Sequence, residues 1–302
     1  MAISRSQLAK ELEPGLNALF GMEYDRYEQE SSEIFEEESS DRAFEEEVML
    51  GGFSTAPVKN EGSSITFDDA QETYTARYTH ETIALAFSIT EEAIEDNLYD
   101  RLASRYTKAL ARSMAQTKQI KAAGVLNNAF NTAYAIGDGA ALCSAAHPSL
   151  SGNQRNQLAV AADLNETSLE QMLIDVASLT DERGLKIAVR GMKLIIPKEL
   201  QFIAERVLNS NLRSGTADND TNAMKSMGMI PEGAVVNHFL TDTDAFFIKT
   251  DAPNGFKYFN RSALKTAMEG DFDTGNMRFK ARERYSFGVS DWRCVYGTPG
   301  AA

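Results

Sequence analysis

SITEEAIEDNLYDRLASRYTKALARSMAQTKQIKAAGVLNNAFN, residues Ser88 to Asn131, decides how the rest of the chain is read. Ser88 and Glu91 have capping-box spacing, and Glu91, Glu92 and Glu95 put negative charge where a helix dipole favours it. The stretch reads as one long helix. Ile94, Leu98, Leu102, Tyr106, Leu110 and Met114 recur at intervals of four. Four residues overshoot a 3.6-residue turn, so the apolar stripe drifts about 40° per step and winds around the helix. Some 40 residues span about 60 Å, more than the ~50 Å width of a compact sphere of this chain length. The helix reads as a strut that meets different neighbours along its length, with Gly124 or Asn127 and Asn128 placed to end it before Asn131.

The 302 residues are 43% hydrophobic and carry a formal charge of −14, which suits one large or two ordinary globular domains. The charge is uneven: from Glu23 to Glu47 twelve acids face two arginines, Arg26 and Arg42. An excess of this sign repels phosphate, so a nucleic-acid-reading role for the bulk surface is disfavoured. Cys143 and Cys294 stand far apart without zinc-type pairing, as in a reducing compartment. The first residues lack a signal-peptide core and no run of 18 apolar residues occurs, so a soluble, cytoplasmically made protein is expected.

Before the helix, Leu8, Leu12, Leu16, Leu19 and Phe20 outline an amphipathic segment that Pro14 and Gly15 should break. The acidic run, punctuated by Ile34, Phe35 and Phe44, reads as a solvated face or, more sharply, as an arm lying on a neighbouring subunit. Val48 to Phe87 turns to β-formers around a Gly, Pro and Asn cluster and predicts a long hairpin with its tip near Lys59 to Ser64. On its return leg Tyr74, Ala76 and Tyr78 alternate in one phase, and Ile83, Leu85, Phe87 and Ile89 in the other, which places a bend at Thr79 to Thr82. A two-stranded ribbon of that length needs something to lie on, which we expect to be another copy of the chain.

After the helix, Thr167 and Glu170 suggest a second capping box and Gly184 a C-cap. Lys193 to Ile196 reads as a buried strand, Pro197 as the start of a helix, and Asn209 to Met227 as a loop. Short strands are expected at Ala234 to Leu240, Ala245 to Lys249 and Phe256 to Phe259, with a long one from Met277 to Tyr285 continuing through Val289 to Val295. Trp292, Tyr285, Phe287 and Tyr296 read as core rather than as a base-stacking platform.

Little in this pattern asks for catalysis. Cys143 and His147 are the one cysteine and histidine close in sequence, but a nucleophile also needs a contacting base, an orienting group and an oxyanion site. They number two where a metal needs three or four ligands, and His80 and His238 have no partner spacing. No nucleophile elbow, P-loop or dinucleotide fingerprint occurs, so we assign no catalytic, cofactor-binding or metal-ligating residue.

The order of parts resembles the major capsid (head) protein of tailed bacteriophages with the Hong Kong 97-type fold. The likeness is carried by Ser88 to Asn97 leading into the long helix, by Leu142 to Pro148, by Asp181 to Ile187 through Leu194 to Pro197, and by Arg282 to Trp292. It implies an α+β chain: an N-terminal arm to residue 47, an extended E-loop hairpin and P-domain strand over 48–87, a peripheral P domain with its spine helix over 88–186, an axial A domain over 187–277, and return strands to the P domain over 278–302. It further implies self-assembly as hexamers and pentamers into an icosahedral shell. The implied partners are a separate scaffolding protein, since only about 47 residues precede the hairpin, a portal, possible decoration protein, and packaged double-stranded DNA held without sequence-specific binding; no membrane and no cofactor is implied. Assembly would occur in the host cytoplasm and the product would be the virion capsid. Candidate intersubunit contacts are Lys59, Asn60 and Glu61 at the hairpin tip, Phe35 and Phe44 in the acidic arm, and Tyr74 and Tyr78 on the return strand. Lys59 lies where some members carry a cross-linking lysine, but with no acceptor to name it reads as a solvated tip residue. An encapsulin-like cellular compartment of the same fold and an enzyme built on Cys143 and His147 are the alternatives.

Overall fold

Two four-stranded sheets and a two-stranded hairpin are arranged around one helix in the computed structural model, which describes residues 5–27, 29–90, 92, 99–212, 220–271 and 273–301. The first sheet has the order β1 (Glu36–Ser39), β8 (Phe256–Gly270), β9 (Met277–Val289), β4 (Glu81–Ile89). Its strands are antiparallel except for β1, which runs parallel to β8. The second has the order β10 (Val295–Thr298), β7 (Phe246–Thr250), β5 (Gly191–Ile196), β6 (Ala234–Val236). β2 (Phe44–Gly51) and β3 (Gln71–Thr79) form the hairpin. The sheets interleave along the chain: β8, before residue 277, lies in the first sheet, and β10, near the C-terminus, in the second.

The strut helix, α2, is described over Tyr99–Asn127, 29 residues or about 43 Å. The expected cap at Ser88 is not its start, because Ser88 belongs to β4 and pairs with Arg278. Glu91, Glu95, Ile94 and Leu98 lie outside the described residues. The stripe does wind. Ala103, Thr107, Leu110, Ala111 and Met114 are buried on one face, and Gln119, Ala122, Ala123 and Leu126 on a face roughly a third of a turn further round. The first group packs on α1 (Arg5–Tyr24) and on Phe279 and Ala281 of β9. In the second, Ala122 and Leu126 meet Ile34, Phe35, Ile195 and Phe247. Tyr106 drops out of the stripe and stays half exposed beside Phe87. The helix stops at Asn127, where the Asn128 amide donates to the Gly124 carbonyl at 2.8 Å.

Several expectations are corrected. Helix α1 runs unbroken through Pro14 and Gly15, both of which face solvent, so the missing proton donor leaves its carbonyl to water. Leu16, Phe20 and Tyr24, one turn apart, are buried, and that face outweighs the proline penalty. Helix α3 (Glu166–Ala177) is capped by Asn165 and Ser168, two residues before the expected box, and ends seven residues before Gly184, which instead closes a tight turn at φ +85°. The helix α4 (Gln201–Asn209) follows a 3-10 turn after Pro197, and the end of the expected loop folds as α5 (Ala223–Met227) with Asn222 as its cap. Residues 213–219 of that loop lie outside the described residues. β8 reaches Gly270, well beyond the expected Phe259, because register shifts between Asn260 and Lys265 change the phase of its alternation and hide it from a period-two reading.

The acidic run is neither a plain solvated face nor loose. Ile34 and Phe35 are buried in the subunit's own core, with Phe35 edge-on to Phe256 and Phe287 at 5.2 and 5.0 Å. Three lysines of the two sheets hold the run. Lys193 pairs with Glu33 at 2.8 Å, Lys249 donates to the Ile34 carbonyl at 2.8 Å, and Lys257 pairs with Glu38 and Glu47.

Candidate assembly surface

The hairpin β2–β3 leaves the body at a buried polar root. His80, the residue between β3 and β4, sits between Ser40 Oγ and Ser286 Oγ, each 2.9 Å from one ring nitrogen. Burial, with Arg284 nearby, holds its imidazole below the usual range against the pull of Glu45. The Tyr78 hydroxyl meets Ser290 Oγ, and Ser290 meets Glu47. Burial draws the Lys257 ammonium down, but its bonds to Glu47 and Glu38 prevail and raise it above its usual range. Two glycines make the close approach possible. A Cβ on Gly288 would stand 2.6 Å from the Tyr78 ring, and one on Gly137 2.8 Å from the Thr75 carbonyl. The bend expected at Thr79 to Thr82 is this root.

Beyond Gly51 the chain forms no ladder until Gln71. The Asp68 carboxylate accepts from Ser54 Oγ at 2.5 Å and from Ser54 N at 2.6 Å and closes the neck of the loop, and these bonds, the hydroxyl's first, keep it below the usual carboxylate range. At the tip Ser63 N donates to the Asn60 carbonyl at 3.1 Å and Gly62 takes φ +79°. Val58 and Phe67 are 92% and 93% exposed, and Phe53 and Ile65 60% and 68%. Four large apolar side chains open to water on one loop mark an interaction surface.

The sequence-derived candidates separate on this geometry. Lys59, Asn60 and Glu61 are exposed at the tip, and Phe44 is exposed under Arg77, whose guanidinium lies 4.0 Å from its ring centroid. Phe35 and Tyr78 are buried within the subunit, and Tyr74, half buried, donates to the Ser290 carbonyl at 3.2 Å. Phe35 and Tyr78 are thereby off the outer surface of the subunit, whereas Tyr74 keeps part of its ring exposed. Lys257, Ser290 and Gly288 escaped sequence reasoning because their partners are more than 200 residues away.

Cys143 and His147 do not form a pair. His147 is fully buried with Nδ1 2.6 Å from Asp138 and Nε2 2.9 Å from Asn156 Oδ1, and it stacks on Trp292 at 4.3 Å. Burial pushes the Cys143 and Cys294 thiols well above the ordinary range. Neither thiol should react with an aromatic disulfide reagent in the native chain, and both should titrate at once on unfolding. One fast-reacting native thiol would contradict this packing. Among the described residues no three His, Cys, Asp or Glu side chains cluster as a metal site, and no helix is long and apolar enough to cross a membrane.

A family model described as "Phage capsid protein" matches residues 73–297, from the return strand of the hairpin to the last strand. The chain belongs to the phage capsid protein family. It is a shell-forming structural protein and a virion component, and the cellular-compartment alternative is not favoured. Solved structures agree on the α+β fold. The capsid of an empty GTA particle superposes with a TM-score of 0.56 at 13% identity, covering 92% of this chain and 91% of that one. The capsid of Myoviridae phage XM1 gives 0.53 at 13%, with 88% and 89% covered. The virus-like particle from Pyrococcus furiosus gives 0.51 at 9%, with 94% and 97% covered. No curated protein sequence matches. At these identities the structures speak for the fold, and the family assignment rests on the sequence model.

Proposed function

We propose that this capsid protein tiles an icosahedral head as hexamers and pentamers, each hairpin lying on a neighbouring copy. The observation that carries the reading is the loop 52–70, whose apolar side chains have no cover within the subunit although its neck and root are fixed by named bonds. In this reading residues 1–47 are the arm, 48–87 the hairpin and the strand after it, 88–186 the peripheral domain, 187–277 the axial domain and 278–302 the return strands. Lys59, Asn60, Glu61 and Phe44 are the hairpin residues offered to the neighbour. The partners are a separate scaffolding protein, a portal, a decoration protein and double-stranded DNA enclosed without sequence-specific contact. Assembly takes place in the host cytoplasm, and the subunit contributes contacts rather than catalysis.

Negative-stain microscopy of the chain co-expressed with the scaffolding gene beside it tests this. Closed, uniform shells are the expected result, and small oligomers under every condition would refute it.

A further inference from the structure

We infer that a ridge of cations on the outward face of the first sheet docks the acidic segment Glu36–Glu47 of a second copy of this chain, an inference that rests on the shell-forming reading. Strand β9 alternates from Arg278 to Tyr285. Phe279, Ala281, Glu283 and Tyr285 are buried toward the helices, which turns Arg278, Lys280, Arg282 and Arg284 to the opposite face. The register sets Lys265 beside Arg282 from β8, and lines the ridge with Thr82, Ala84, Ala86 and Ser88 from β4. Long cations therefore stand beside small neighbours from β4, with Glu269 of β8 opposite Arg278.

Arg278 is paired with Asp271 at 2.5 Å. Among the described residues Lys265, Lys280, Arg282 and Arg284 have no ion-pair partner. In a chain of net charge −14, the three of these that lie beyond the hairpin root, Lys265, Lys280 and Arg282, call for an external partner.

The same sheet carries the opposite charge at its other end. β1 is an edge strand paired only with the near part of β8, from Lys257 to Asn260. Of the acids from Glu36 to Glu47, Glu38 and Glu47 are held by Lys257, and Glu46 faces Arg77 at 3.7 Å. Glu36, Glu37, Asp41 and Glu45 have no ion-pair partner among the described residues. Glu37 accepts from Asn260 and lies near Lys118, and Glu45 accepts from Ser40 Oγ beside His80, which leaves Glu36 and Asp41 as the freest of the four. One copy thus presents unpaired carboxylates at one end of the sheet and the unpaired cations Lys265, Lys280 and Arg282 at the other, whereas Arg284 and Glu45 both lie beside His80 at the hairpin root.

Such a surface complements the next copy, head to tail. A heterologous contact of this kind closes into rings when its rotation permits. Each exposed ion pair contributes at most about 1 kcal/mol, so the set acts on register and orientation, while the apolar hairpin supplies most of the binding. Phosphate backbones are the weaker match, because the remaining surface repels them.

Charge exchange in the full chain tests the inference, read by sedimentation and microscopy at low and high salt. Lys280→Glu with Arg282→Glu, and separately Glu36→Lys with Asp41→Lys, should each raise the concentration needed for association about tenfold, the equivalent of ~1.4 kcal/mol, with unchanged circular dichroism. Combining all four substitutions sets opposite charges facing each other again at the exchanged positions and should return association to within about threefold of the parent, a difference under ~0.7 kcal/mol. Unchanged association in either pair, or no recovery in the combined variant, overturns the inference and leaves the shell reading standing. So does a Lys280 and Arg282 reversal that spares association but abolishes binding to a duplex oligonucleotide. Should the parent chain itself never associate, the shell reading falls along with it.

Discussion

Replacing residues 55–67 with two glycines leaves a folded subunit that no longer forms stable shells. The excision lies above the neck bond between Ser54 and Asp68, so the ends it joins are already close. Nothing in the three main hydrophobic clusters comes from the removed segment, nor do His80, Lys257 and Ser290 at the root. Circular dichroism and urea unfolding of the subunit should therefore match the parent within about 0.5 kcal/mol, as for surface changes away from packed features. Assembly is another matter. The segment carries Val58, Ile65 and Phe67, whose burial on a neighbour is worth about 5–9 kcal/mol per contact at ~1.5–3 kcal/mol per side chain. Association itself costs about 4–15 kcal/mol in lost freedom, so removing that contribution removes the margin that holds copies together. Shells as abundant and as heat-resistant as the parent's would show that the hairpin is not an intersubunit clamp.

The hairpin was legible because turn residues and alternating β-formers act locally, and a bend at a phase change needs no knowledge of partners. Ser88 shows the opposite case. Its capping signal is genuine in sequence, but Ile83, Leu85, Phe87 and Ile89 extend the strand through it, and pairing with β9 decides between the two. The acidic run misled in another way. Its charge predicts solvation, whereas Lys193, Lys249 and Lys257, scattered over sixty-odd residues of sequence, converge on it in space. The cation ridge was visible as Arg278-x-Lys280-x-Arg282-x-Arg284, yet its meaning required knowing which face the helices cover.

Arg293→Met should destabilise the isolated subunit by about 3–5 kcal/mol at pH 8, the usual result of stranding a buried charge. Arg293 is 3% exposed and donates to Glu182 at 2.9 Å, to Asp291 at 3.2 Å and to the Thr180 carbonyl at 2.7 Å, with its guanidinium 4.3 Å from the Trp292 ring centroid. Methionine keeps most of the volume, so the loss reports the charge rather than a cavity. Burial already raises the Asp291 carboxyl above its usual range even with Arg293 opposing it. Between the unfolded and the folded pKa the folded state therefore holds a proton that the unfolded chain releases. Stability from this group is complete below the unfolded pKa and is lost as pH rises through the folded one. Without Arg293 the folded value moves further up and the window of loss extends with it, so the variant should be closer to the parent at pH 5 than at pH 8. Adding Glu182→Gln to Arg293→Met removes one stranded charge and should recover part of the loss, which a purely steric defect would not allow. Urea unfolding at the two pH values decides the matter: a deficit under about 1 kcal/mol, or one that does not change with pH, would mean that this ion cluster is not what locks the C-terminal turn against the body.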